Sequence, residues 1–205
     1  MAEKDADEGD RPAKGPGRPR DPSVEKAILR AAVWRLISEG YSQMTIADVA
    51  ADAGVTRPTV YRRWPSKQEL ISSAMDFNFQ EERERDPLEP LEELPPAEAL
   101  KKSLRHAFPS DRGMMAVGSI LMEAERNPDL MDLARRHAFA PRVGPFLETL
   151  RRLRDEGVIG QHIDLEIIAD MMIGSYYSSY IRRGDSATHS TDDVVEAIWP
   201  LISGN

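Results

Sequence analysis

The chain has 205 residues, no cysteine, 40% hydrophobic and 30% charged side chains, a length and balance that suit one or two soluble domains with a real core. The missing thiols exclude disulfides and thiolate metal sites and point to a reducing cytoplasm. The formal net charge of −8 would by itself speak against a polyanion as partner, yet residues 11–68 hold 11 Lys and Arg against 5 acids, a net of +6, while residues 1–10 carry −4 and residues 69–205 carry −10.

Residues 1–21 are Pro, Gly and charge with almost nothing apolar, and the composition predicts disorder without a partner. They also lack the apolar segment of a signal peptide, and no apolar run in the chain approaches the ~20 residues that span a bilayer. The expectation is a cytoplasmic protein with no membrane partner. Within the arm, Lys14-Gly-Pro-Gly-Arg18-Pro-Arg20 resembles an AT-hook core, Gly-Arg-Pro flanked by cations. Two readings stand: an arm whose Lys14, Arg18 and Arg20 enter a narrow A·T-rich minor groove, or a solubilising tail.

Regular pattern begins with SVEKAILRAAVWRLISEGY, where Ile28, Leu29, Ala32, Val33, Leu36 and Ile37 recur at helical spacing. Ser23 is the predicted cap and Gly40 the predicted end. The tract Thr45–Leu70, TIADVAADAGVTRPTVYRRWPSKQEL, then has the spacing of a helix-turn-helix. Ala50 is small where two helices must cross, Gly54 supplies a turn at positive φ, and Ile46, Val49, Val55 and Val60 make a small core. Thr45 with Asp48 resembles a capping box, and Thr56 is expected to cap the next helix, with Pro58 tolerated in its first turn. The outer side of that helix carries Thr56, Arg57, Thr59, Tyr61, Arg62 and Arg63, donors and an aromatic suited to bases and phosphates. Lys67 follows at the start of another helix, where a phosphate would meet a cation and free amides together.

Ser66-Lys67-Gln68-Glu69 reads as a capping box opening a helix to about Arg85. Residues 86–96, DPLEPLEELPP, read as a linker or surface loop. Beyond it the pattern predicts helices over 97–108, 112–126, 128–155, 164–183 and 192–202. Asn127-Pro128, Asp164 and Thr191 are their predicted caps, and Pro141, Gly144 and Pro145 should kink or split the third of them. No segment alternates with period two long enough for a strand. The expected architecture is all-α with about nine helices: a three-helix bundle over 22–70 and a larger helical bundle over 71–205.

The run EGYSQMTIADVAADAGVTRPTVYRRWPSKQEL resembles the DNA-binding domain of the tetracycline-repressor (TetR) family over about residues 23–72. The matching features are Gly-Tyr after the first helix, Thr-Ile-x-x-Val-Ala, Ala-Gly-Val-Thr, Thr-Val-Tyr, an aromatic three residues on, and Lys-x-x-Leu. By position the resemblance implies that Thr45 and Lys67 hold phosphates. It brings Thr56, Arg57 and Thr59 to base edges around Pro58, with Tyr61 on the backbone. Trp64 stands where such proteins often have Phe or His, as a packing residue or a contact. Of Arg62 and Arg63, one is free to point along the protein surface.

The remaining two-thirds show no nucleophile elbow, P-loop or dinucleotide loop, and His106, His137, His162 and His189 have no metal-ligand spacing. No catalytic residue, metal or cofactor is expected. Residues 164–183, DLEIIADMMIGSYYSSYIRR, are apolar round most of the helix and, with VVEAIWPLI, suit half of a symmetric four-helix homodimer interface, as the resemblance also implies; the alternative is a helix central to the monomer core. Half-sites about 10 base pairs apart, or a multiple, would follow. The resemblance further implies a small-molecule effector. The Met and aromatic content suggests a small, largely apolar one, with His106, Phe108, Met115, Met122, Phe139, Phe146, Met172 and Tyr176 as candidate lining, against plain core packing. The functional expectation is a dimeric, sequence-specific repressor released from a palindromic operator. The alternatives are an effector-independent or architectural DNA-binding protein, and an enzyme with an appended DNA-binding head.

Overall fold

In the computed structural model the described residues are 21–87, 90–108, 118, 120–123, 125, 127–183 and 190–204. Among them the regular elements are all helical: α1 (Pro22–Gln43), α2 (Ile46–Asp52), α3 (Arg57–Tyr61), α4 (Lys67–Arg85), α5 (Pro96–Ala107), α6 (Pro128–Ala134), α7 (Ala140–Asp155), α8 (Leu165–Arg183) and α9 (Thr191–Ile202). Residues 120–123 are also helical, and a π-helical turn, Arg135–Phe139, joins α6 to α7. No helix among the described residues is long and apolar enough to cross a membrane.

The caps explain where these helices start. Asp21, not Ser23, caps α1, accepting from Ser23 N at 2.9 Å; Pro22 takes the first helical position, where no N–H is needed. Gly40, at φ +82°, breaks the helical geometry of α1 where the sequence places its end. Asp164 accepts from Glu166 N and Ile167 N at the head of α8. Ser190, rather than Thr191, caps α9 in a full capping box with Asp193. The 128–155 segment is divided, as its prolines predict, into α6 and α7 with a π turn between them. The irregularity falls just ahead of Pro141, where Ala140 N–H donates five residues back to Arg135 O and Pro141 has no N–H to give.

Two buried clusters organise the molecule. The first joins Ile28, Leu36, Val49, Val60, Leu70 and Ile71 of α1–α4, and it also receives Ile120, Leu130 and Leu133 from outside that head. The second joins Leu100 and Leu104 of α5 to Phe146, Leu150 and Leu153 of α7, Met172 of α8, and Val195 and Ile202 of α9. Helix α4 stands between them. Its Glu81 pairs with Arg30 of α1 at 2.5 Å, and its Glu82 pairs with Arg142 of α7 at 2.5 Å.

Candidate nucleic-acid interface

The helix-turn-helix is built from local chemistry. Thr45 Oγ1 accepts from Asp48 N at 3.2 Å and donates to the Asp48 carboxylate at 2.5 Å, fixing the first turn of α2. Gly54 takes φ +66° between α2 and α3, a region that costs a residue with a side chain about 1–2 kcal/mol. Val55 N–H then donates to Ala50 O at 2.9 Å, and Val60 is fully buried beneath the turn. Arg35 of α1 grips Asp52 at the end of α2 with two bonds, Nε to Oδ2 at 2.5 Å and Nη2 to Oδ1 at 2.8 Å. These guanidinium bonds hold the Asp52 carboxyl below the usual carboxylate range.

Helix α3 therefore sits at a fixed angle with its outer side bare. Thr56, Arg57, Pro58, Tyr61 and Arg62 are exposed, and Thr59 is half-buried. Thr56 occupies the capping position without bonding a backbone amide; its hydroxyl lies 3.0 Å from that of Thr59, which also accepts from Arg62 Nη2 at 3.1 Å. Arg63 turns back on its own helix, donating to Thr59 O at 3.2 Å. Trp64 is 7% exposed in the first core. It packs beneath the surface, which favours the packing alternative for this DNA-facing candidate.

At the flank, Ser66 caps α4 by accepting from Glu69 N at 3.1 Å. Lys67 lies in the first turn with its ammonium 4.3 Å from the centre of the Tyr41 ring. Burial pushes that ammonium below the ordinary lysine range, and the charge of Glu123 pulls it back. The arm residues Lys14, Arg18 and Arg20 lie outside the described residues.

The sequence model for "Bacterial regulatory proteins, tetR family" matches residues 28–74. Over 194 residues the chain is 30% identical to an HTH-type transcriptional regulator of Mycobacterium bovis, spanning 87% of this chain and 91% of that one. It is 29% identical over 147 residues to the DNA-binding transcriptional repressor TetR of Mycobacteroides abscessus, with 71% and 75% coverage.

The chain belongs to the TetR family.

Its fold agrees with a TetR-family regulator from Rhodococcus sp., with a TM-score of 0.69 at 18% identity, covering 89% of this chain and all of that one. A transcriptional regulator from Saccharomonospora viridis, solved in complex with choline, gives 0.68 at 20% identity, covering 90% of this chain and all of that one. The chain is accordingly a DNA-binding transcriptional regulator and not an enzyme.

In this TetR-family chain the seven described candidate pocket residues do not gather in one place. His106 and Phe108 line a cleft of about 230 Å³ at the junction of α4, α5 and α7, and Tyr176 stacks on Phe108 at 4.4 Å. Phe146 and Met172 are fully buried in the second core. Phe139 packs against the first core, Met122 is 81% exposed, and Met115 lies outside the described residues. The cleft is completed by residues the sequence did not single out. Phe79, Glu82 and Asp86 come from α4 and its end, and Arg142 from α7. Arg142 bonds Glu82 and lies 5.1 Å over the Phe79 ring. The signal that could have found them is the Phe79–Glu82 spacing, which puts both on one side of a helix.

Proposed function

We propose that this regulator is a homodimeric repressor that reads a palindromic operator and leaves it when a small effector binds. The observation that carries the reading is a stripe along α8. Ile167, Met171 and Ile181 are 57%, 51% and 81% exposed on that helix, and Leu201 of α9 is 68% exposed. Large apolar side chains left bare in a row call for a cover, and a second copy supplies it symmetrically. Two copies put two α3 helices on one face of the duplex, about one helical turn apart or a multiple of it.

On each head, Thr45 and Lys67 take phosphates, and Arg57, with Thr56 and Thr59, takes base edges. The repressor named among the relatives supports the direction of control, and the choline-bound neighbour supports an effector. The cleft at α4, α5 and α7 is the site for it. At about 230 Å³ it is smaller than the roughly 300–1,000 Å³ of drug-sized sites. Its aromatic residues, Phe79 and Phe108, stand beside polar and charged ones that include His106, Glu82 and Arg142, so the fitting effector is small, with an apolar body and a polar end. Selection from a randomised duplex pool is expected to return an inverted repeat bound by two chains. Recovery of no preferred sequence, with a specificity ratio near one, would instead establish a general DNA-binding protein. A metabolite that raises the melting temperature and frees the selected duplex would identify the effector class.

A further inference from the structure

The corner of the head that carries Lys67 is held by a residue from far along the chain. Gly40 leaves helical geometry, which cuts Tyr41, Ser42 and Gln43 off from the regular ladder of α1. Ser42 N–H finds its acceptor in Glu123 Oε1 at 2.8 Å, a bond across 81 residues. Glu123 lies in the helical segment 120–123, whose Ile120 is buried in the first core. Its other oxygen, Oε2, is buried with no hydrogen-bond partner among the described residues. A carboxylate with one buried oxygen unbonded keeps most of its field for neighbouring charges. Lys67 stands on the same corner: its ammonium lies 4.3 Å from the centre of the ring of Tyr41, the residue next to the Ser42 that Glu123 holds.

We propose that Glu123 is a positioning residue for DNA binding: it fixes the Tyr41–Ser42 turn and draws Lys67 away from the phosphate backbone, so that the seating of residues 120–123 on the head sets DNA affinity. The proposal rests on the reading of Lys67 as a phosphate contact. A carboxylate beside a phosphate-binding cation opposes the phosphate twice, by neutralising the cation and by repelling the incoming anion. Any rearrangement that lifts residues 120–123 removes both effects and the Ser42 bond together. The head is thereby made sensitive to a segment that touches no DNA.

Glu123→Gln separates the two roles, because the amide oxygen still accepts from Ser42 N while the charge is gone. The measurement uses the full chain with a random-sequence duplex of about 30 base pairs and with the duplex selected by the wild type, each titrated over a series of KCl concentrations. Glu123→Gln is expected to bind both duplexes roughly three- to tenfold tighter at low salt and to steepen the log–log salt slope by up to about one, the signature of one recovered phosphate contact. In a Lys67→Met background the gain should vanish. Asp129→Asn is the control, since it removes one negative charge that acts on Tyr41 and leaves the Ser42–Glu123 bond in place; it should leave the slope where it was. Equal affinity and slope for Glu123→Gln and wild type would overturn the proposal, as would a gain that survives in Lys67→Met or is matched by Asp129→Asn. A wild type that selects no sequence would refute the repressor reading alone, because the random duplex still reads the Glu123–Lys67 coupling.

Discussion

Arg57 and Arg63 lie six residues apart and are held in opposite ways. Arg57 projects from the first turn of α3 into solvent, whereas Arg63 spends a donor on the carbonyl of Thr59. Replacing Arg57 by Ala is expected to flatten base preference at one operator position by about 1–3 kcal/mol. Arg63→Ala should leave the selected sequence as it is; selection from the randomised pool with each variant checks both. Arg35 and Asp52 make a pH-dependent joint. The Asp52 carboxyl is held below its usual value near 3.9, so the joint's contribution is present above that value and is lost as the pH falls through the folded one. Asp52→Asn should melt below wild type at pH 7, and the gap should close as the pH drops beneath about 4. At this scale the sequence was readable wherever a residue answers a neighbour three positions away, as Thr45 answers Asp48 and Ser66 answers Glu69. Trp64 was not, because its spacing does not say whether the ring turns to the core or to the groove.

Helix boundaries followed from punctuation. Gly40 and Gly54 are legible because only glycine takes positive φ without strain. Gly54→Ala meets no atom within 4 Å of the added carbon, so its expected cost of about 1–2 kcal/mol is backbone conformation alone. A shift in denaturant midpoint at unchanged m-value would report it. Asp21 and Ser190 displaced the caps expected at Ser23 and Thr191 because each is a better-placed oxygen next to the first turn. The π turn at Arg135–Phe139 was hidden, since composition marks the prolines and not the turn that accommodates them. For α8, periodicity says only that most of its circumference is apolar. The structure shows which side the monomer leaves bare. Met171→Glu on that side is expected to give monomers by light scattering with the melting transition retained, whereas a dimer unchanged in mass would place the interface elsewhere.

Across the whole molecule, the partition of charge anticipated a DNA-facing portion, and the helical pattern anticipated the all-α fold. The candidate pocket was the least legible part. Spacing identifies a buried face but not the element that covers it: Phe146 and Met172 pack in the second core, and Phe79 and Arg142, which line the cleft, were not singled out. Truncating Phe146 to Ala is expected to cost about 3–5 kcal/mol by opening a cavity among α5, α7 and α8. Chemical denaturation with and without the selected duplex would show whether the loss spreads through α4 to the head. One dimension sets how the regulator must be used in a cell. Helix α3 has five residues and is about 7.5 Å long, enough to inspect about three or four consecutive base pairs. A word that short recurs by chance on the order of once per hundred base pairs, against roughly a million or more competing positions in a genome. A single head would spend its life on decoys, and in the proposed dimer the joint requirement for two words at fixed separation would make an address far rarer than either word alone.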